Sequence, residues 1–249
     1  MQNYIQKLIF VLYIVFFAQS SLFSQDYDDI TYEDSHYKFG IYGSGNGWGI
    51  YYRNMVIKNS KFNRMYEINV GSLKHFKERS VLNQRIGNAT PYVFGKINRL
   101  YAIRPMYGYS ITLAEKVSKS SVGVEVFGGM GPIIGLLKPI YVDIDQYDSL
   151  NSNNYYTISA KYNPDEMNQN SIIGYSSFGK GINETKLIAG LAFKTGVSFN
   201  WGYYRSDFKS LELGVMLDYF PSPPNLMVYA KNKTVFSSFY ISFALGKNY

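Results

Sequence analysis

Isolated charged side chains within otherwise apolar, alternating segments are the residues of this sequence with the clearest capacity for chemistry. They are four acids and two lysines: Glu67, Lys96, Glu125, Lys194, Glu212 and Asp218. If the segments enclose a narrow space, opposite charges inside it can pair, and the resulting salt bridges fill the space and fix the register. The same charges could instead form a charge-selective narrow pore or gate. The residue types leave both interpretations open.

The segments that position these charges alternate with a period of two residues. In 187–201 apolar residues dominate one parity, whereas Lys194 shares the other parity mainly with small and polar residues. The same alternation recurs at 107–113, 211–219 and 239–245. Successive side chains of a β-strand point to opposite faces, so each segment is predicted to be a strand with one apolar face and one small or polar face.

The apolar faces favour a membrane barrel over a soluble sandwich. They are uninterrupted by charge and end in Tyr, Trp or Phe, as the aromatic girdle of a membrane barrel does. Strands can cross lipid only when every backbone group pairs, which requires a closed sheet. The sequence therefore predicts an all-β, closed antiparallel transmembrane β-barrel over residues 37–249. A secreted or periplasmic soluble β-protein is the alternative.

Eight strands are predicted, an even number as expected for such barrels. They are 37–53, 65–75, 92–102, 106–116, 121–136, 187–201, 209–220 and 234–246. The stretch 137–186 then becomes a long extracellular loop, in which 140–145 and 155–161 could pair above the membrane or extend the barrel to ten strands. Under this count 76–91 lies on the periplasmic side, where it is long for a turn.

The N-terminal residues are typical of an export signal. Residues 8–18 are 11 consecutive apolar residues, too few for a spanning helix, which needs about 20. We predict a cleaved signal peptide over 1–25, with cleavage after Ser20, Ser24 or Gln25, followed by an acidic segment at 26–36. Export and the barrel pattern together predict location in the cell outer membrane.

The sequence resembles a family of small outer-membrane β-barrel proteins of Gram-negative bacteria, well over 92–249 and loosely over 37–75. The stretches that carry the resemblance are Gly95-Lys96-Ile97-Asn98, Arg104-Pro105, Tyr107-Gly108, Glu115-Lys116, Gly123-Val124-Glu125-Val126, Lys138-Pro139-Ile140-Tyr141, Phe178, Lys180-Gly181, Leu211-Glu212-Leu213-Gly214-Val215, Phe220-Pro221 and Leu245-Gly246-Lys247. The resemblance implies the fold and the location but no activity. The last strand also resembles the C-terminal signal read by the barrel-assembly machinery, from which Lys247 departs.

Other residues that could do chemistry favour structural roles. His36 and His75 are the only histidines. The spacing of neither one places it as a general base beside a serine nucleophile. The glycines of 43–49 recur every second residue, which indicates a thin strand face and not a nucleotide loop. There is no Cys. We predict no catalytic residue, no metal site and no cofactor.

The preferred function is a non-enzymatic envelope structural or surface-binding role with a lumen filled by paired charges. A narrow pore for ions or small solutes is the first alternative, and a membrane-embedded lipid hydrolase is the second. The predicted partners are outer-membrane lipids, the barrel-assembly machinery through 234–249, and an extracellular ligand at loop 137–186, which is rich in Tyr, Asn and Ser. The net charge of +7 is spread along the chain and does not argue for nucleic acid.

Overall fold

The computed structural model describes residues 35–57, 62–114, 121–147, 155–165, 167, 169–202 and 207–248. The predicted signal peptide and most of the acidic segment lie outside these residues. The described residues form thirteen strands: β1 (Ser35–Ser44), β2 (Gly47–Ile57), β3 (Phe62–Leu73), β4 (Ser80–Val81), β5 (Tyr92–Val93), β6 (Asn98–Ala114), β7 (Gly123–Pro139), β8 (Tyr141–Tyr147), β9 (Tyr155–Lys161), β10 (Ile172–Tyr175), β11 (Lys186–Gly202), β12 (Asp207–Tyr219) and β13 (Val235–Asn248).

Eight of these strands form a closed antiparallel barrel in the order β1-β13-β12-β11-β7-β6-β3-β2. The barrel closes because β1 pairs with β13 on one side and with β2 on the other; Gly40, for example, lies opposite both Ala244 and Tyr51. The predicted fold class, an all-β closed antiparallel barrel of eight strands, is confirmed.

Two errors in the predicted strand boundaries leave the number of barrel strands at eight, because one predicted strand is two strands and two predicted strands are one. The segment 37–53 is a hairpin and not one strand, because β1 and β2 are joined by a two-residue turn at Gly45 and Asn46. Such turns favour Gly and Asn. The alternating glycines on both sides concealed this turn in the sequence.

The segments 92–102 and 106–116 were predicted as two strands, but Asn98–Ala114 is a single strand. A proline cannot donate a backbone hydrogen bond, so Pro105 is expected to end a strand. The structure instead places Pro105 across from Pro132, in a gap where β6 and β7 do not pair between Ile103↔Ile134 and Tyr107↔Met130. The strand continues because β3 still pairs with it on the other side.

The two ends of the barrel differ. One end, here the terminal end, holds the start of β1, the end of β13 and the strand ends that flank the short connections 58–61, 115–122 and 203–206. The other, here the loop end, holds the turn 45–46 and the long connections 74–97, 140–185 and 220–234. The corrected count therefore moves 76–91 to the same end as the predicted long loop, so it is no longer an unusually long turn at the short-loop end.

The described parts of the long connections fold together into a cap at the loop end. β8, β9 and β10 form a separate three-stranded sheet, so 140–145 and 155–161 do pair, but outside the barrel, and the ten-stranded alternative is wrong. The cap has its own apolar core built around Tyr92, Ile140, Val142, Tyr162 and Ile172. Backbone bonds such as Thr90 N to Ile173 O (2.8 Å) and Val228 N to Gly95 O (2.9 Å) join the three connections.

The outer face of the barrel is an apolar belt. Leu191, Leu213 and Phe243 point away from the axis and are 62%, 45% and 42% exposed. Outward charges of the eight barrel strands occur only near the ends: Arg64, Asp207, Lys209 and Lys247 at the terminal end, and Arg99 and Lys138 at the loop end. No helix with the length and hydropathy of a membrane span occurs in the described part of the chain.

Candidate functional site

The lumen of the barrel is occupied by large side chains that stand over glycines of neighbouring strands. A Cβ on Gly71 would lie 2.2 Å from the hydroxyl of Tyr42, and a Cβ on Gly40 would lie 2.6 Å from the ring of Tyr51. The small residues of the polar parity therefore have a definite role. They make room for tyrosines and for long charged side chains that reach across the barrel.

A central ion cluster of Arg53, Glu67, Lys194 and Glu212 crosses the middle of the lumen. Arg53 donates from Nε to Glu67 Oε2 (2.7 Å) and from Nη1 and Nη2 to the two oxygens of Glu212 (2.7 and 3.0 Å). Lys194 Nζ donates to the other oxygen of Glu67 (2.7 Å). All four side chains are at most 2% exposed. Each carboxylate is thus satisfied by a buried cation, which buried charges require.

Aromatic rings enclose this cluster. The guanidinium of Arg53 lies 4.1 Å from the ring centroid of Phe127, and Lys194 Nζ lies 4.2 Å from that of Tyr51 and 4.9 Å from that of Tyr240. A cation over an aromatic face gains electrostatic stabilisation, and more when it is desolvated. The rings also take up the space around the charges, so the cluster closes the lumen at this level.

A second group of polar residues, the loop-side cluster, lies nearer the loop end. Arg104 binds both oxygens of Asp218 through Nε and Nη2 (2.8 Å each) and donates from Nη1 to Asn69 Oδ1 (2.9 Å). The hydroxyl of Tyr42 also donates to Asn69 Oδ1 (3.0 Å). The paired donors of Arg104 match the planar carboxylate, which fixes β6 and β12 relative to one another across the barrel.

A third group, the terminal-side cluster, lies nearer the terminal end. Lys38 Nζ donates to Glu125 Oε2, Ser198 Oγ and Asn200 Oδ1, each at 3.1 Å. Lys38 is fully buried. Its three donors are therefore all used on residues of β7 and β11, which a buried ammonium group needs.

The three clusters contain equal numbers of opposite charges. The cations are Lys38, Arg53, Arg104 and Lys194, and the carboxylates are Glu67, Glu125, Glu212 and Asp218. Five of the six charges singled out in the sequence are among them. Of the three cations that the sequence analysis missed, Lys38 and Arg53 lay in the misassigned segment 37–53, and Arg104 lay between the predicted strands 92–102 and 106–116. With the turn at 45–46 recognised, the alternation of β1 and β2 would have identified Lys38 and Arg53 as inward-facing.

Lys96, the sixth predicted residue, lies apart from these clusters. It precedes β6, bridges to Met227 in the cap, and donates to Glu78 Oε2 (2.5 Å). Burial lowers the pKa of Lys96, and the bond to Glu78 acts in the opposite direction. The reason for its different placement is that 92–97 is part of the cap and not of a barrel strand.

An apolar plug closes the loop end of the lumen above the ion clusters. Leu226 and Met227 of the connection 220–234 are 0% and 8% exposed and pack against inward side chains of the barrel. Those barrel side chains are Leu73, Leu100, Ala102, Met106, Ile133, Leu137, Ala192 and Phe236, and Phe220 of the same connection joins them. The side chain of Asn232 fixes this connection, because its Oδ1 accepts from the backbone N–H groups of Leu226 (3.1 Å) and Met227 (3.2 Å).

The two histidines do not form a nucleophile and base pair with a serine. His36 Nε2 has no hydrogen-bond partner within the part of the chain that the structure describes, and its ring packs on Phe208. His75 bonds instead to the backbone, through Nε2 to Lys231 O (3.3 Å) and through Nδ1 to the N–H of Lys77 (3.2 Å). Within the described ranges no group of three or more His, Asp and Glu side chains could hold a metal ion.

A cleft of about 670 Å³ with mixed polar and apolar walls opens at the loop end beside the plug. Its walls include Asn98, Lys161, Asn163, Lys186 and Asn225 together with the apolar Leu137 and Ile188. Lys161 donates to Glu184 (2.6 Å), and Tyr141 also donates to Glu184. These hydrogen bonds lower the pKa of Glu184, so it is ionised near neutral pH. The cleft offers amide groups and lysine donors to solvent.

No family model matches this sequence, and no curated protein matches it. Similar solved structures include Ail, the attachment invasion locus protein of Yersinia pestis, at 13% identity and a TM-score of 0.43, covering 88% of this chain and 100% of that one. Neisserial surface protein A has 8% identity, a TM-score of 0.38 and coverages of 86% and 94%. The N-terminal β-barrel domain of Pseudomonas aeruginosa OprF has 6% identity, a TM-score of 0.34 and coverages of 87% and 98%.

These solved structures are small outer-membrane β-barrels of eight strands from Gram-negative bacteria. At such low identity the likeness concerns the fold alone, and functional conclusions rest on the residues of this chain.

Proposed function

We propose that this protein is an integral outer-membrane barrel with a closed lumen, which displays its cap at the cell surface for binding. The observation that carries the proposal is a distribution of side chains opposite to that of a water-soluble protein. Paired charges are buried inside the barrel, and large apolar side chains are exposed outside it. A Lys or Arg at the lipid midplane costs roughly 2–4 kcal/mol, so a charge-free outer belt is what a bilayer demands.

The lengths of the connections support one orientation of the barrel. Membrane barrels of this class have short periplasmic turns and longer extracellular loops. The short connections and both termini of the barrel share the terminal end, so that end would face the periplasm. The cap, including most of 137–186, would then face the outside of the cell.

The filled lumen supports a non-conducting barrel. The ion clusters occupy most of its length, and the apolar plug occupies its loop end. An eight-stranded barrel is just wide enough for side chains to fill. This packing argues against the narrow-pore alternative, and the surroundings of the two histidines argue against a hydrolase.

The proposed membrane location and the closed lumen are both tested on the full-length protein. Cells producing it are fractionated, and the purified protein is added to planar bilayers beside an open porin as a positive control. We expect the protein in the detergent-soluble outer-membrane fraction and no steady current steps. Recovery of folded protein from a detergent-free aqueous extract would refute the membrane location. Steady single-channel steps would refute the closed lumen.

The cleft is the part of the cap best suited to binding. Amide, lysine and tyrosine groups are adaptable hydrogen-bond partners, which suits a saccharide or protein ligand. We expect purified barrel in lipid nanodiscs to bind members of a glycan array, and Asn163→Ala with Asn225→Ala to abolish that binding. Unchanged binding by this double variant would exclude the cleft as the site.

A further inference from the structure

We propose that Arg99 and Lys138 form a binding site for the phosphate of an outer-leaflet lipid, at the outer wall of the barrel beneath the cap. This inference rests on the proposed membrane location and adds a partner and a site to it. The two residues lie directly opposite one another on β6 and β7. Neighbouring strands are about 4.8 Å apart, so one phosphate group can reach both cations.

Among the described residues, neither cation has a counter-ion. No Asp or Glu of the described chain lies within 4.0 Å of Arg99 or Lys138, whereas the nearby Glu78 is already paired with Lys96. The charge that acts most on Lys138 is the like charge of Arg99. Two adjacent cations repel, so an anion bound between them would remove an unfavourable interaction.

Lys138 is held against the cap and is not a freely mobile surface side chain. The residue is 7% exposed, and its Nζ lies 4.5 Å from the ring centroid of Phe178. The guanidinium of Arg99 lies 4.5 Å from the ring centroid of Tyr175. Both aromatic residues come from the connection between β7 and β11, so the cap holds the two cations in place.

The apolar wall beside the cations points to a lipid and not to a free anion. From the pair toward the terminal end, the next outward pairs are Tyr101 with Leu136 and Ile103 with Ile134. Leu187, which pairs with Leu136, is 71% exposed beside them. A phosphate on the cations would therefore have its acyl chains along an apolar wall, the arrangement expected where headgroups meet hydrocarbon.

The test is native mass spectrometry of the full-length protein in an uncharged, phosphate-free detergent, with diphosphoryl lipid A as the probe. We expect the wild type to bind this lipid and Arg99→Gln with Lys138→Gln to bind it at least about tenfold more weakly. Lys209→Gln with Lys247→Gln removes the same outward charge at the terminal end and should bind like the wild type. Equal binding by all three proteins would overturn the proposal.

Three further arms complete the test. Lipid A freed of its phosphates should bind weakly to every protein, and equal binding of this lipid would show that phosphate is not recognised. Displacement of lipid A by excess inorganic phosphate would indicate a site for the free anion and overturn the lipid assignment.

If the double Gln variant does not fold, Arg99→Lys with Lys138→Arg should fold and retain binding. Loss of binding in this folded variant would also overturn the proposal. None of these results bears on fractionation or conductance, so this proposal can fail independently of the proposed function.

Discussion

At the scale of single residues, the charges in the lumen were predictable in type but not in partner. Alternation identified Glu67, Glu125, Lys194, Glu212 and Asp218 as polar-face residues because a strand has a strict period of two. It could not show which strands meet across the lumen. Pairing of Lys194 with Glu67 joins residues 127 positions apart and depends on how the whole barrel closes.

Arg53 is expected to be the most sensitive of these charges, because it holds both Glu67 and Glu212. Arg53→Met leaves Glu212 without its cation, and breaking a buried ion pair from one side costs about 3–5 kcal/mol. The free energy of unfolding in urea, measured in lipid vesicles, should fall by this amount. Arg64→Met, on the outer face of β3, should change it by less than about 0.5 kcal/mol. Equal effects would contradict the burial of the central ion cluster.

Gly40 and Gly43 provide a matched pair on one strand. A Cβ at Gly40 meets the ring of Tyr51, whereas a Cβ at Gly43 meets nothing within 4 Å. Gly40→Ala should therefore destabilise the barrel by about 1–3 kcal/mol through overpacking. Gly43→Ala should leave the unfolding free energy nearly unchanged or slightly higher. A similar loss in both variants would show that the lumen side chains are not packed as described.

At the scale of elements, strand existence was easier to predict than strand boundaries. The apolar parity of 187–201 and 211–219 fixed β11 and β12 to within a few residues. Glycines concealed the turn at 45–46, and Pro105 suggested a break that pairing with β3 overrides. Of the cap, only the pairing of 140–145 with 155–161 was among the predicted alternatives. The rest was not predictable, because its core forms from three separate connections and none of them carries a long periodic pattern.

Asn232 should control the connection that supplies the apolar plug. Asn232→Ala removes the acceptor for the Leu226 and Met227 N–H groups and should loosen this connection, with cleavage by added protease within 220–234 rising at least about threefold. Lys231→Ala, one residue away, is the control and should be cleaved like the wild type. Both proteins should keep the faster gel migration of a folded barrel. Unchanged protection of Asn232→Ala would mean that packing alone holds the plug.

At the scale of the whole molecule, the absence of Cys allows a direct test of orientation. Lys231→Cys at the loop end should react with a membrane-impermeant maleimide on intact cells. Ser121→Cys at the terminal end should react only after the outer membrane is permeabilised. The reverse pattern would place the cap in the periplasm. Labelling of both sites on intact cells would argue against an intact barrier between the two ends.

The assembly of the barrel is a further whole-molecule question. β13 closes the sheet against β1 and presents Phe239, Ile241, Phe243 and Leu245 outward. This apolar face is consistent with the proposal that 234–249 is read by the barrel-assembly machinery. Lys247 is exposed at the terminal end, where an outward charge can reach the headgroup region.

The facing prolines of β6 and β7 affect where the strands of the barrel separate when it unfolds. Neither Pro105 nor Pro132 can donate a hydrogen bond, and the two strands do not pair across them. Hydrocarbon offers no water to replace a missing donor. Under tension or heat, β6 and β7 should therefore begin to separate at this gap before the paired stretches on either side of it.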